Sequence, residues 1–587
     1  MASVANPELK WDLTPFFPSI TSPEYRDAVS ALPATIGGLE QGLAELASGC
    51  TASKLARFLE SYDSSYRSIY LVAAYTNLSL STDANDQDAQ KAHGALQPLM
   101  VRLGKFGKSF DALIGSLDPS VWESDEGLAD FRFVLGRIHQ AAAHLLSPEM
   151  EDLAADLADS GNNAWGKLYD DFSSNIQAEV NGKSMSVSAI RGLAYSEDAD
   201  IRRRAHEAEL QAWKVNEIPL AAAMNAIKGE GNTLAQRRNW PDLIDESLFR
   251  ANMDRASLEA MLEAARESFP HWRRYLKAKA GLLGHTSGLP FYDLFAPVGD
   301  SKAWSWTEAE DFVEDGFRSF SDKLADFARH SFDHSWHDVY PKQGKRDGAF
   351  CAGVTPGVSR MLYNFKESFN GASTLAHELG HAYHNLCLKD RHAIQKRTPM
   401  TLAETASIFC ETIIKRRAIA ESSGGEKLAI LEASLQGSCQ TVVDITSRYI
   451  FESEVVKRRK ERALTPAELC SIMEEAQTAT YGDGLDPQKL HPYMWAAKPH
   501  YYSDRAFYNF PYMFGLLFSL GLYRVYEESP NGFHDRYDSL LSRTGMGMAA
   551  DLTQEFGIDI GDKAFWQGSL AVLIEDIDIF CSLASQS

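Results

Sequence analysis

The residues best placed to do chemistry lie in Thr374-Leu-Ala-His377-Glu378-Leu-Gly-His381-Ala-Tyr-His384, whose core is the pattern H-E-x-x-H. On a helix, positions four apart lie on one face one turn up, so His377 and His381 can aim two imidazoles at a single point. That arrangement supplies two ligands of a zinc site. Glu378, one residue further round, can reach a water on that metal without taking a coordination position, which suits a general base. The competing reading is a chance match on an ordinary amphipathic helix. With 16 histidines in 587 residues, such an accident is expected in about a few per cent of chains. The local sequence is written for a helix. Asn370 and Ser373 can cap its start, no proline follows until Pro399, and Leu375, Leu379 and Ala382 offer an apolar face opposite the histidines.

A catalytic zinc usually has three protein ligands and one open position. The pattern H-E-x-x-H-x-x-G-x-x-H fails here, because His384 stands at its glycine and Cys387 at its final histidine. The third ligand must therefore come from another element. Pro399 to Glu411 reads as a second helix capped by Thr401, with Glu404 in its first turn, and the polar segment 388–399 is long enough to turn back. A carboxylate brought against two imidazoles still leaves the metal electrophilic. An exposed acid at a helix start is the alternative for Glu404. Glu411, two turns on, suits a partner that holds a ligand's ring nitrogen, and His384 suits that supporting shell or the core better than the metal.

The elements around this centre are mostly helical. Ser22-Pro23-Glu24 and Ser147-Pro148-Glu149 place a capping hydroxyl before a first-turn proline and acid, and Ser305-Trp-Thr-Glu308 is a capping box. Ser160 to Trp165 reads as a turn, and Asn239-Trp-Pro241 as a helix break. The best strands are Gly348–Val354 and Ser359–Phe365, directly before the metal helix. Such a strand edge could hold an extended peptide through main-chain hydrogen bonds, with Ala349 and Cys351 as contacts, or it could only brace the helix. His330, His334 and His337 are expected on the surface at a helix end. Three segments follow from this organisation: helical lobes over 1–110 and 111–197, and a catalytic domain over 198–587.

Acids outnumber bases by 80 to 58, a net charge of -22, which disfavours nucleic acid and anionic membranes as partners. The seven cysteines form no C-x-x-C pair and read as reduced thiols. Met1 to Glu8 shows no signal peptide, so the cytoplasm is the simplest address. Ala506 to Tyr523 is uncharged, but its tyrosines, Asn509 and Pro511 make it the wall of an internal cavity rather than a membrane span.

The stretches His377 to His384 and Leu402-Ala-Glu404-Thr-Ala-Ser407 resemble a known family, together with Lys498-Pro-His500-Tyr-Tyr and Phe507-Tyr508-Asn-Phe-Pro-Tyr512-Met-Phe-Gly515. This is the thimet oligopeptidase and oligoendopeptidase F family of zinc metallopeptidases. The resemblance implies a mainly α fold, a two-lobed helical body around a deep channel. It also implies a zincin-like core with a small β-sheet beside the H-E-x-x-H helix. It implies one zinc ion per chain, Glu404 as third ligand, and hydrolysis of internal bonds in short unstructured peptides. It further gives His500, Tyr508 and Tyr512 contact with the substrate and its developing oxyanion, with Tyr501 a further candidate. The rivals are a carboxypeptidase of the same fold and a peptide-binding protein with structural zinc. A base beside the metal argues against the second. Oligomeric state is left open.

Overall fold

This computed structural model describes residues 9–300 and 302–586; the stretch read for targeting signals, 1–8, lies outside them. The structure is 71% helical with two small sheets, the mainly α fold expected. Two compact units interleave along the chain. Met1–Ala143, Lys302–Arg417 and Ser529–Phe556 form the first; His144–Ser301, Ala418–Glu528 and Gly557–Ser587 form the second. Both are discontinuous in sequence, so their limits do not follow the contiguous segments 1–110, 111–197 and 198–587.

The first unit opens with the helices Pro23–Ala47, Ala52–Thr82 and Gln87–Ser116. Each start is capped by a side chain: Ser22 Oγ accepts from Tyr25 N at 3.3 Å, Thr51 Oγ1 from Lys54 N at 3.4 Å, and Asp86 Oδ1 from Ala89 N at 3.1 Å. Leu32, Ile36, Leu39, Leu43 and Leu46 recur at three-and-four spacing and bury against Leu55, Phe58, Leu59, Phe106 and Phe110. Trp11 and Leu78 pack with Val354 and Leu362, which ties this layer to the sheet.

That sheet has three strands, His337–Asp338, Val358–Leu362 and Phe350–Thr355, with Val358–Leu362 in the middle and Phe350–Thr355 at an edge. The edge strand starts two residues later than the sequence pattern suggests, because Gly348 takes a left-handed φ of 82° and turns the chain before pairing begins. His337 departs from expectation. Ser335 adopts a φ of 54°, which turns the chain out of the helix Asp322–Asp333 and into the sheet. His337 is consequently buried, its Nε2 2.9 Å from Ser331 Oγ, whereas His330 and His334 are exposed.

The helix Phe369–Cys387 follows the sheet. Its cap is Ser368, whose Oγ accepts from Gly371 N at 3.3 Å; Asn370 and Ser373 lie inside the helix and do not cap it. Leu375, Leu379 and Ala382 are fully buried, the apolar face expected of them. Near its end, Tyr383 OH donates to Asp538 Oδ1 at 2.7 Å on the later helix Phe533–Leu541.

In the second unit, the long helices Arg255–Leu282, Phe510–Glu528 and Lys563–Ala584 pack together, with Phe514 against Trp566 at 5.3 Å between centroids. The capping box at Ser305 is present in the first unit, but Ser147 makes no side-chain cap. The turn read at Ser160 to Trp165 narrows to Gly161, since Asn162 already begins a helix. Among the described residues no helix is long and apolar enough to cross a membrane.

Candidate metal centre

His377 and His381 project from one face of the Phe369–Cys387 helix, with their Nε2 atoms 3.2 Å apart. Glu404 arrives from a different local structure than a continuous helix capped by Thr401. Met400–Ala403 makes a single turn, and Glu404 stands at its junction with the long helix Thr405–Glu421, at φ -92° and ψ 2°. Thr401 is itself buried in that turn. The junction swings Glu404 Oε2 to 3.4 Å from both His377 Nε2 and His381 Nε2. Ser407 Oγ donates to the same oxygen at 2.8 Å and holds it there.

The two helices can approach this closely because residue 380 is glycine. A Cβ there would lie 2.5 Å from Ser407 Cα and 2.6 Å from Ala406 O. Glu411 completes the arrangement, with Oε1 2.6 Å from His377 Nδ1 and Oε2 2.6 Å from Lys415 Nζ. A carboxylate accepting from Nδ1–H sets the ring's tautomer and leaves the Nε2 lone pair facing Glu404 and His381.

Three edges of 3.2, 3.4 and 3.4 Å form a nearly equilateral triangle of donor atoms. Donors bound at about 2.05 Å around a tetrahedral zinc stand about 3.3 Å apart, so the residues fit that ion closely. The charges agree. Burial works against a charge on His377, but Glu411, Glu378 and Glu404 outweigh it and carry the ring up to about 9. Burial likewise opposes charge on Glu404, and His381, His377 and Ser407 overcome it, taking the carboxyl down to about 2. Such a set attracts positive charge, whether proton or metal ion. Burial raises the Glu378 carboxyl against the pull of His377 and His381, and its Oε2 is buried without a hydrogen-bond partner.

A cavity of about 890 Å³ opens on His377, Glu378, His381 and Glu404. Ala349 and Cys351 line it beside them. Cys351 Sγ is 3.8 Å from Asn385 Nδ2, and burial pushes its thiol above the ordinary range. His384 also reaches the cavity, but its Nε2 is 2.9 Å from Thr544 Oγ1 and burial holds the ring down at about 4, so it stands outside the donor triangle.

The tail residues belong to the second unit and gather there. The Tyr508 and Tyr512 hydroxyls are 3.2 Å apart, and the His500 ring lies 6.4 Å from that of Tyr508 and 4.7 Å from that of Tyr501. Burial, then Arg448 and Lys498, press His500 down to about 3, leaving a neutral ring whose Nε2 has no partner. Tyr501 is fully buried, against Phe451 at 5.1 Å.

The sequence model described as Peptidase family M3 matches residues 192–572. The chain belongs to peptidase family M3. A second model, described as Oligopeptidase F, matches residues 120–177 ahead of it. An oligoendopeptidase F homolog of Borreliella burgdorferi is 24% identical over 85% of this chain and 86% of its own. Among solved structures, one from Chlamydophila abortus superposes with a TM-score of 0.85 at 20% identity, covering 98% of both chains. Oligoendopeptidase-F of Enterococcus faecium follows the same fold at a TM-score of 0.68 and 17% identity, over 96% of this chain and 99% of that one. This M3 protein is a metalloendopeptidase, a hydrolase acting on peptide bonds.

Sequence reasoning gave no role to several residues around His377, His381 and Glu404. Gly380 and Ser407 stand in stretches that carry the family resemblance, but nothing in the sequence marks them as the place where two helices cross, and Lys415 is one basic residue among many. Elsewhere, His206, Glu209 and His491 bring ligand-type atoms together in the second unit. There Glu209 Oε1 already accepts from Arg191 Nη1 at 2.7 Å and from Trp213 Nε1 at 3.1 Å, so its charge is paired with a guanidinium.

Proposed function

We propose that this M3 peptidase is a zinc-dependent oligoendopeptidase acting on short unstructured peptides, with one ion held by His377 Nε2, His381 Nε2 and Glu404 Oε2. The observation that supports it best is the donor triangle of 3.2 to 3.4 Å edges beside an unpartnered carboxylate oxygen. When bound, the ion supplies Lewis acidity that polarises the scissile carbonyl and acidifies water.

The chain's own groups do the rest. Glu411 orients the His377 ring through Nδ1, and Ser407 orients Glu404. Glu378 Oε2 takes the proton of the attacking water and delivers it to the leaving amine nitrogen, a role favoured by a buried carboxyl whose proton affinity is raised. The edge strand Phe350–Thr355, with Ala349 and Cys351, offers main-chain groups to an extended peptide. Its cavity of about 890 Å³ has the capacity for a ligand of a few residues. His500, Tyr508 and Tyr512 are proposed as hydrogen-bond donors to the developing oxyanion, with Tyr501 supporting their cluster. The family resemblance and the neutral, unpartnered His500 ring speak for that role.

Glu378→Gln tests the reading. The variant is expected to hold stoichiometric zinc and to lose at least about a hundredfold in hydrolysis of a short internally quenched peptide blocked at both ends. Near-normal turnover would remove Glu378 from the proton-carrying role.

A further inference from the structure

The helix Ala52–Thr82 carries Tyr62, Tyr66 and Tyr70 at four-residue spacing, which places the three rings on one face. They form a continuous stack: Tyr62 and Tyr66 are 5.8 Å apart and 13° from parallel, Tyr66 and Tyr70 6.1 Å and 14°. All three line the cavity on which His377, Glu378, His381 and Glu404 open. Exposure climbs from 6% at Tyr62 to 43% at Tyr70, so the stack starts in the core and ends on a half-exposed ring.

The charged side chains between these rings are already engaged. Arg67 Nε donates to Asp63 Oδ2 at 2.6 Å and its Nη2 to Arg391 O at 3.0 Å, while Asp63 Oδ1 accepts from Ala393 N at 2.7 Å. What this helix offers the cavity is therefore aromatic surface. The strand Phe350–Thr355 runs along the same cavity at the edge of its sheet. In an extended peptide, side chains on one face recur every two residues, about 6.6–6.8 Å. The ring spacings of 5.8 and 6.1 Å nearly match that repeat.

We propose that Tyr66 and Tyr70, backed by Tyr62, form a wall that selects aromatic side chains of the peptide by offset stacking. This rests on the hydrolytic reading of the His377, His381 and Glu404 site. Aromatic pairs of this kind discriminate by about three- to tenfold.

The test uses matched quenched peptides in which a single Phe, or Ala in its place, is walked through each position. The wild-type ratio of kcat/KM, Phe over Ala, is expected to exceed three at one position or more. Tyr66→Ala and Tyr70→Ala should bring it down towards one, and Tyr66→Phe and Tyr70→Phe, which keep the ring, should preserve it. A wild-type ratio near one throughout, or a ratio unmoved in both alanine variants, overturns the proposal. Should no peptide be cleaved, the hydrolytic reading falls, and the wall is then judged by the Phe-over-Ala affinity ratio of the same peptides for the full chain. Because Tyr70 is half-exposed, its alanine variant is expected to fold, and a circular dichroism melt checks this.

Discussion

Gly380→Ala is the substitution that most directly probes how the centre is assembled. The new Cβ would lie 2.5 Å from Ser407 Cα, 2.6 Å from Ala406 O and 2.8 Å from Ala406 C, all backbone atoms that no rotamer change can move aside. Carbon contacts settle at about 3.5–4.0 Å, so the two helices must part by roughly 1 Å. Glu404 rides on the retreating side, and its Oε2 now stands 3.4 Å from each imidazole nitrogen. Parting by that amount takes those edges beyond about 4 Å, past the roughly 3.3 Å between donors on one zinc ion. Overpacking of this kind also destabilises a fold by about 1–3 kcal/mol. We expect zinc affinity, measured by competition with a chromophoric chelator, to fall at least about tenfold. Denaturant unfolding of the chelated protein should show the stability loss separately. Wild-type zinc affinity in a well-folded Gly380→Ala variant would refute the argument that this crossing sets the position of Glu404.

Glu404→Ala should leave two imidazoles and release the metal on dialysis; normal zinc content by elemental analysis would move the third ligand elsewhere. Glu411→Gln removes the charge 2.6 Å from His377 Nδ1, and such partners typically contribute about 10–100-fold to metal affinity, so a chelator titration should weaken by that factor. An unchanged titration would reduce Glu411 to a helix packing residue. Burial, with Arg360, pushes His337 down to about 3 from an ordinary 6.5, so below about 6.5 the unfolded chain takes up a proton that the folded chain refuses. Stability from this group is therefore intact above that pH and declines as pH falls towards 3, by up to about 1.4 kcal/mol per pH unit. His337→Gln should flatten the dependence of unfolding free energy on pH across that window, and a slope identical to wild type would count against the assignment.

The metal helix was legible from its own residues. The spacing of His377 and His381, with Leu375, Leu379 and Ala382 opposite them, is a local pattern, and helical periodicity turns such a pattern directly into a shared face. The strands before it and the capping box at Ser305 were legible for the same reason, the strands to within three residues at each end. The caps at Asn370, Ser373 and Thr401 failed because several hydroxyl and amide residues stood near each helix start, and only backbone geometry selects among them.

The sequence by itself determined the two imidazoles, their common face, the neighbouring carboxylate and the largely helical body, since each depends on residues within a few turns of one another. Only the tertiary structure decided that Glu404 sits at a helix junction within reach of both rings, and that Gly380 is where two helices touch. Likewise, three tyrosines some three hundred positions earlier in the chain share the cavity with His377, His381 and Glu404. Those outcomes depend on which surfaces pack against which, and packing is settled by the shapes of segments far apart in sequence that carry no local mark of their partner.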